Sequence, residues 1–256
     1  MKICSLIRAV RPVLILLLAG SAAAQAAEVK VMAGGPLTAV FKELGPQFES
    51  DTGHKIVAKF SGTAVIKREI DAGETFDLVI TDASAVDDWI KQGKIAAATR
   101  VPVAYAGLGV GVRSGTPKPD VSSIDASRQA LLKATSVGHG AESASATSFK
   151  TLLERLGIAE QMKPKLRPMG LGGTYKSLAA GEIEIIVAVV PGIVAAPGVD
   201  LAGSFPGELQ TYISFAAGLS TGAKEPEAAQ ALGKFLTSPS AIAVIKAKGM
   251  EPGTPR

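Results

Sequence analysis

Cysteine is nearly absent from this chain of 256 residues: its one thiol, Cys4, lies close to the amino terminus. Past that point there is no disulfide partner, no Cys-based zinc site and no thiol nucleophile. Aromatic residues amount to 5%, and the two histidines, His54 and His139, stand in no H-x-x-x-H or H-E-x-x-H spacing. A G-x-S-x-G elbow and a Walker lysine motif are also missing, and Gly170-Leu171-Gly172-Gly173 lacks the G-x-G-x-x-G spacing of a dinucleotide loop. Each absence removes a reaction class. Asp77 and Asp82, which flank an apolar run, could in principle do acid–base work, but carboxylates in such places usually cap helices and hold turns.

The opening residues are the strongest positive signal. Lys2, Arg8 and Arg11 precede the apolar run Val13 to Ala19, and Ala24-Gln25-Ala26 supplies a small-x-small cleavage site. Residues 1–26 therefore read as a secretory signal peptide, because a membrane anchor needs about 20 apolar residues. Cys4 would leave with the leader. The net charge would fall from +4 to +1 with the loss of those three basic residues, so nucleic acid is not an expected partner. Later apolar stretches are broken by Gly, Pro or charge before they could span a bilayer, and the mature chain is expected to be periplasmic. Its roughly 230 residues are enough for one large α/β domain or two lobes.

Strand and helix patterns then alternate. Glu28–Ala33, His54–Phe60 and Phe76–Thr81 read as strands; Pro36–Ser50, Ala64–Ala72 and Ala85–Gln92 read as helices, the last opened by a Ser84/Asp87 capping box. Val101–Val112 holds two strand-like stretches that look like a crossing between lobes. Ser136–Gly138, a helix over Thr147–Leu156, a short helix from Leu171–Thr174 to Gly181 and the apolar strand Ile183–Val190 form a second series. Tyr212–Leu219 returns the chain, followed by helices at Glu225–Leu236 and after Ser238-Pro239. The expected architecture is α/β in two lobes, each a mostly parallel sheet flanked by helices: 27–106 and 212–256 in the first lobe, 107–211 in the second.

Three turns share one design: a strand end, small polar residues, then a helix start. They are Gly34-Gly35-Pro36, Ser61-Gly62-Thr63 and Ser143-Ala144-Ser145. Unpaired N–H groups and the positive end of the helix dipole let such turns hold an anion without a charged side chain. Any one of them could be a plain N-cap; three after strands in one chain point to a cleft at the carboxyl ends of the sheets. Lys67 and Arg68, on the helix after the second turn, are expected to face solvent.

These segments resemble the periplasmic substrate-binding proteins of ABC importers, in particular the molybdate-binding-protein-like group. The resemblance rests on Val31-Met32-Ala33-Gly34-Gly35-Pro36-Leu37-Thr38, on Phe60-Ser61-Gly62-Thr63 with Arg68-Glu69-Ile70-Asp71-Ala72-Gly73, and on Phe76-Asp77-Leu78-Val79-Ile80-Thr81-Asp82. It continues through Gly138 into Phe149–Gly157 and through Phe235-Leu236-Thr237-Ser238-Pro239 to Gly249-Met250-Glu251-Pro252. It implies a type II periplasmic binding fold with two crossovers that closes on a molybdate- or tungstate-like oxyanion and delivers it to an inner-membrane permease. A monomer with no cofactor, no protein-ligated metal and no catalytic residue is implied as well.

Carried over residue by residue, the first-turn serine of that group falls on Pro36, beside Gly35, and Pro36 has neither hydroxyl nor N–H to donate. The second-turn hydroxyl falls on Thr63, next to Ser61 and Gly62. The third-turn residue falls on Ser145, near Ser143. The second-lobe amide falls near Gly172, with Gly173 and Thr174 following, and the closing tyrosine falls on Val190. Ser143, Ser145, Thr174, Tyr175 and Lys176 are candidates to replace the lost donors, and Lys176 or Arg113 could supply positive charge to an organic acid. The alternatives are therefore a binding protein for a small organic acid, a sensory binding subunit, or a secreted enzyme on the same fold.

Overall fold

A computed structural model describes residues 26–170 and 172–255, so the expected leader, apart from Ala26, lies outside the described residues. In chain order come β1 (Glu28–Gly34), a 3₁₀ turn at Gly35–Leu37, α1 (Thr38–Thr52), β2 (Lys55–Ser61), α2 (Thr63–Asp71), β3 (Leu78–Asp82) and α3 (Ala83–Lys91). A 3₁₀ turn at Ala97–Thr99 leads to β4 (Val101–Ala106), β5 (Leu108–Arg113), α4 (Ile124–Lys133), β6 (Val137–Gly140), α5 (Ala144–Arg155) and α6 (Ala159–Met162). After a third such turn at Lys163–Lys165 follow β7 (Leu166–Met169), α7 (Gly173–Ala180), β8 (Ile185–Val189), α8 (Val190–Val194) and β9 (Val199–Ser204). Last are β10 (Ile213–Leu219), α9 (Pro226–Phe235), α10 (Pro239–Ala247) and β11 (Glu251–Pro252).

The strands form two sheets, ordered β11-β4-β10-β3-β1-β2 and β7-β6-β8-β5-β9. Neither is mostly parallel, contrary to the sequence reading. Pairing is parallel at β1–β2, β1–β3, β6–β7 and β6–β8, and antiparallel wherever β4, β5, β9, β10 or β11 takes part. The reason is the crossing. A strand that enters a lobe from its neighbour runs against the strands whose carboxyl ends face that neighbour.

Local chemistry explains the element types and several departures from expectation. β3 and β8 are apolar and buried along nearly their whole length because helices or packed side chains cover both faces, whereas edge strand β2 alternates and turns Lys55 and Lys59 outward. α1 buries Val40, Phe41, Leu44 and Phe48 and stops at Gly53, whose φ of 75° closes the last turn. The start of α3 is capped by Asp82, which accepts from the Ser84 N–H at 3.0 Å; no Ser84/Asp87 box forms, and Asp87 instead pairs with Arg100. α5 begins at Ala144 rather than Thr147, capped by the Ser143 hydroxyl. The strand expected over Ile183–Val190 is shorter, and its last residue, Val190, opens α8.

Two contacts hold the frame. Asp77 is 2% exposed, and its carboxylate accepts from the backbone N–H groups of Lys30 (2.8 Å), Lys224 (2.7 Å) and Glu225 (3.1 Å), tying β1 to the start of α9. At the crossing, the Gln210 amide accepts from the Leu108 N–H at 2.7 Å and donates to the Leu108 and Phe205 carbonyls at 3.1 and 3.3 Å. Gly107 permits this, since a Cβ there would lie 2.6 Å from the Gln210 amide carbon. Both chain passages between the sheets are thereby joined at one point, and a continuous apolar cluster runs through it from Phe48 by way of Phe205, Leu209 and Ile213 to Phe149.

Removing the Asp77 carboxylate strands three backbone donors at once. We expect Asp77→Ala to lower stability by at least ~3 kcal/mol, at about 1–3 kcal/mol per unsatisfied buried donor, while Asp88→Ala, at an exposed position, stays within about 0.5 kcal/mol. Urea midpoints of the two variants check this; equal midpoints would remove Asp77 as the frame's tie.

Candidate functional site

The parallel strands of each lobe end toward the other lobe, so the helix starts that follow them meet across a cleft. On the first lobe, the β1–β2 register sets Gly34 opposite Ser61, which places Gly35 and Pro36 beside Ser61, Gly62 and Thr63. Thr81, at the end of β3, completes this edge. It is fully buried, and its hydroxyl lies 3.1 Å from that of Thr63 and close to Gly34. Thr81 was not singled out from the sequence, although it obeys the same rule as the three turns: a hydroxyl at the carboxyl end of a buried strand.

On the second lobe, the Ala141 N–H donates to the Met169 carbonyl at 2.8 Å, aligning the ends of β6 and β7 so that α5 and α7 start side by side. The hydroxyls of Ser143 and Ser145 are 2.8 Å apart, and Ser143 folds back against Gly140, where a Cβ would meet its Oγ at 2.6 Å. Gly172, with φ of 76°, precedes the first residue of α7, Gly173, and no side chain caps that start. Gly62 likewise leaves α2 without a side-chain cap, so its first N–H groups have no side-chain partner, whereas at α7 the Gly173 N–H is already taken by the Gly170 carbonyl at 3.0 Å. Thr174 is buried with its methyl group against Gly138, and Lys176 is exposed.

Val190 and Pro191 pack against Gly249, and α8 touches the 3₁₀ turn that contains Pro36. The two elements in which donors are lost thus lie side by side across the cleft. The Tyr175 hydroxyl lies against Gly192 in α8, where a Cβ would sit 2.2 Å from it. Burial pushes this phenol up to about 12, so it keeps its proton at neutral pH. Arg113, in contrast, is not at the cleft. It ends β5 on the far side of the second lobe beside Gly181, where it lines a cavity of ≈ 610 Å³ with Lys133 and Glu182, so it cannot act as charge partner to a ligand between the lobes.

The lobes meet again at Gly62. A Cβ there would fall 2.1 Å from the Glu142 carbonyl oxygen, and the Glu142 carboxylate forms a two-pronged pair with Arg68 at 2.9 Å on each arm. Arg68 is exposed, as expected, but it is engaged across the cleft. The guanidinium holds the Glu142 carboxyl below the usual carboxylate range, and the Arg68 value is raised in turn. Among the described residues, no cluster of three or more His, Cys, Asp or Glu side chains is placed to hold a metal, and no helix is long and apolar enough to cross a membrane. Apart from that pair, the candidate turns on the two sides supply neutral groups: hydroxyls, backbone N–H groups and glycines.

Comparison with known proteins places this arrangement. Residues 29–251 match the family described as bacterial extracellular solute-binding protein. A molybdate-binding protein of Azotobacter vinelandii, ModA, is 29% identical over 237 residues, covering 89% of this chain and 91% of its own. An aconitate isomerase of a Pseudomonas species is 28% identical over 227 residues, covering 87% of each chain. The solved periplasmic molybdate-binding protein of Azotobacter vinelandii superposes with a TM-score of 0.76 at 18% identity, over 89% of this chain and 100% of that one. The chain belongs to the bacterial extracellular solute-binding proteins and has their two-lobed fold.

Because Gly62 sits directly under the Glu142 carbonyl, any side chain there props the lobes apart. Gly62 has an ordinary φ of −68°, so Gly62→Ala is expected to fold normally yet to give a larger radius of gyration by small-angle scattering. An unchanged radius would show that the lobes do not meet at this point in solution.

Proposed function

We propose that this protein captures a small anion, molybdate- or tungstate-like, between its lobes and delivers it to the permease of an ABC importer. In this reading the first lobe is 27–106 with 212–256, the second is 107–211, and a monomer works in the periplasm after loss of residues 1–26. The observation that carries it is the opposition of uncapped or hydroxyl-lined helix starts: that of α2 at Gly62-Thr63, with Thr81, on one side, and those of α5 at Ser143–Ser145 and α7 at Gly172-Gly173 on the other. Neutral donors of this kind select a desolvated anion through fixed dipoles rather than through a counter-charge.

A second ligand class is favoured by a specific observation. Pro36 and Val190 supply no side-chain donor, and a relative of equal coverage is named an aconitate isomerase. A carboxylate can use the same helix starts, and in this reading the Tyr175 phenol beside Gly192 is the donor that replaces the lost ones.

Thermal unfolding with molybdate, tungstate, sulfate, cis-aconitate and trans-aconitate separates these readings. A ligand at a hundred times its Kd adds about 2.7 kcal/mol, which moves Tm by roughly 5–10 °C at this size. A shift with the metal oxyanions supports the first reading, and a shift with aconitate alone supports the second; proton NMR of the incubated aconitate then reports any isomerisation. For whichever anion binds, Thr63→Ala combined with Ser145→Ala is expected to weaken affinity at least tenfold, because each hydrogen bond to a charged ligand contributes about 1.5–3 kcal/mol. Unchanged affinity would discard these turns as the site.

A further inference from the structure

The Arg68–Glu142 pair bridges the two lobes. Arg68 lies in α2, in the turn after its start at Thr63, and Glu142 immediately precedes Ser143, the cap of α5. The pair therefore joins the two helix starts that face each other across the cleft, 74 residues apart in sequence, and both carboxylate oxygens are used, at 2.9 Å each. Beneath it, the Glu142 carbonyl rests on Gly62 with no room for a side chain.

We propose that Arg68 and Glu142 are ligand-positioning residues: a strap that sets the spacing of the α2 and α5 starts in the closed state and cancels charge at the cleft mouth. The proposal rests on the anion reading above for its kinetic consequences, though not for the strap itself. The two partners are not equivalent. Glu142 adjoins the proposed anion site, and its exposed carboxyl is ionised at neutral pH with or without Arg68; without Arg68, an uncompensated carboxylate stands at the entrance and repels an incoming anion. Without Glu142, the guanidinium remains and attracts one. Both losses release the strap.

The side chains are 60% and 51% exposed, so the pair is screened by salt and its loss is expected to speed dissociation only about two- to fivefold. Association separates the partners. At low ionic strength, Arg68→Gln is expected to slow anion capture about three- to tenfold, Glu142→Gln to leave it equal or faster, and the double variant to leave it near the native rate, because rim charges act on association. The charge-swapped variant Arg68→Glu/Glu142→Arg is expected to recover the native dissociation rate.

The strap is tested without any ligand. Spin labels at Lys91→Cys in α3 and Glu160→Cys in α6, both exposed, report the distance between the lobes. The native protein is expected to lose closed population as salt rises, the Arg68→Gln/Glu142→Gln variant to start with less of it, and the swapped variant to regain it. Identical distance distributions in all three would overturn the strap. Stopped-flow mixing with molybdate or cis-aconitate tests the charge balance: equal association rates for Arg68→Gln and Glu142→Gln would overturn that part. If neither anion binds while the distances respond as stated, the anion reading fails and the strap stands.

Discussion

The relation between the lobes is set at the crossing, where one side-chain amide reinforces the backbone pairing of the two passages. Gln210 reproduces, from the second crossing, the pair of hydrogen bonds that a neighbouring strand would make to Leu108 in the first, and it holds Phe205 as well. The two backbone passages, already paired at Ala106–Ile213 and Gly109–Ser204, are thereby tied into one flexure point. All else follows from the distance to that point. The strand ends near it carry Val190 and Gly249 in contact, and those farther out bring Gly62 up to Glu142. A small rotation about the crossing displaces the outer rim far more than the inner one, so inner contacts fix the axis and outer contacts report closure.

Within the cleft, the competition is between a helix's own cap and an external anion. Asp82 has already filled the start of α3 with a carboxylate, so that dipole is spent internally. Ser143 does the same for one N–H of α5 while leaving a second hydroxyl, that of Ser145, beside it. α2 and α7 open with glycine at the capping position, and glycine can donate but cannot satisfy its own helix. The pattern leaves helix starts on opposite lobes without a side-chain cap, which is where a ligand must be gripped if binding is to favour the closed form.

Much of the fold was legible because period and punctuation agree. The apolar runs of β1, β3 and β8, the small turns after β1 and β2 and the glycine stops of α1, α5 and α7 are local signals that tertiary packing did not override. β7, Leu-Arg-Pro-Met, and β9, with its aspartate and glycine, were not legible: both lie on sheet edges, where composition is nearly free. The same limit applied to the cleft. Candidate turns could be read from strand–turn–helix order, but Thr81 needed the sheet register and Glu142 needed the meeting of two lobes. Arg113 was misplaced because sequence order does not say which end of a strand faces the cleft.

The order of strands in the first sheet has a consequence for synthesis. β10 lies between β3 and β4, and Asp77 waits for Lys224 and Glu225. About a hundred residues must therefore follow β4, whether out of the ribosome or across the membrane, before that strand finds its partner, roughly 5–20 s of synthesis alone at common elongation rates. The second sheet is complete by Ser204. The lobe that starts first is finished last, and until then its half-built sheet carries an open edge on β3 that a holding chaperone can recognise.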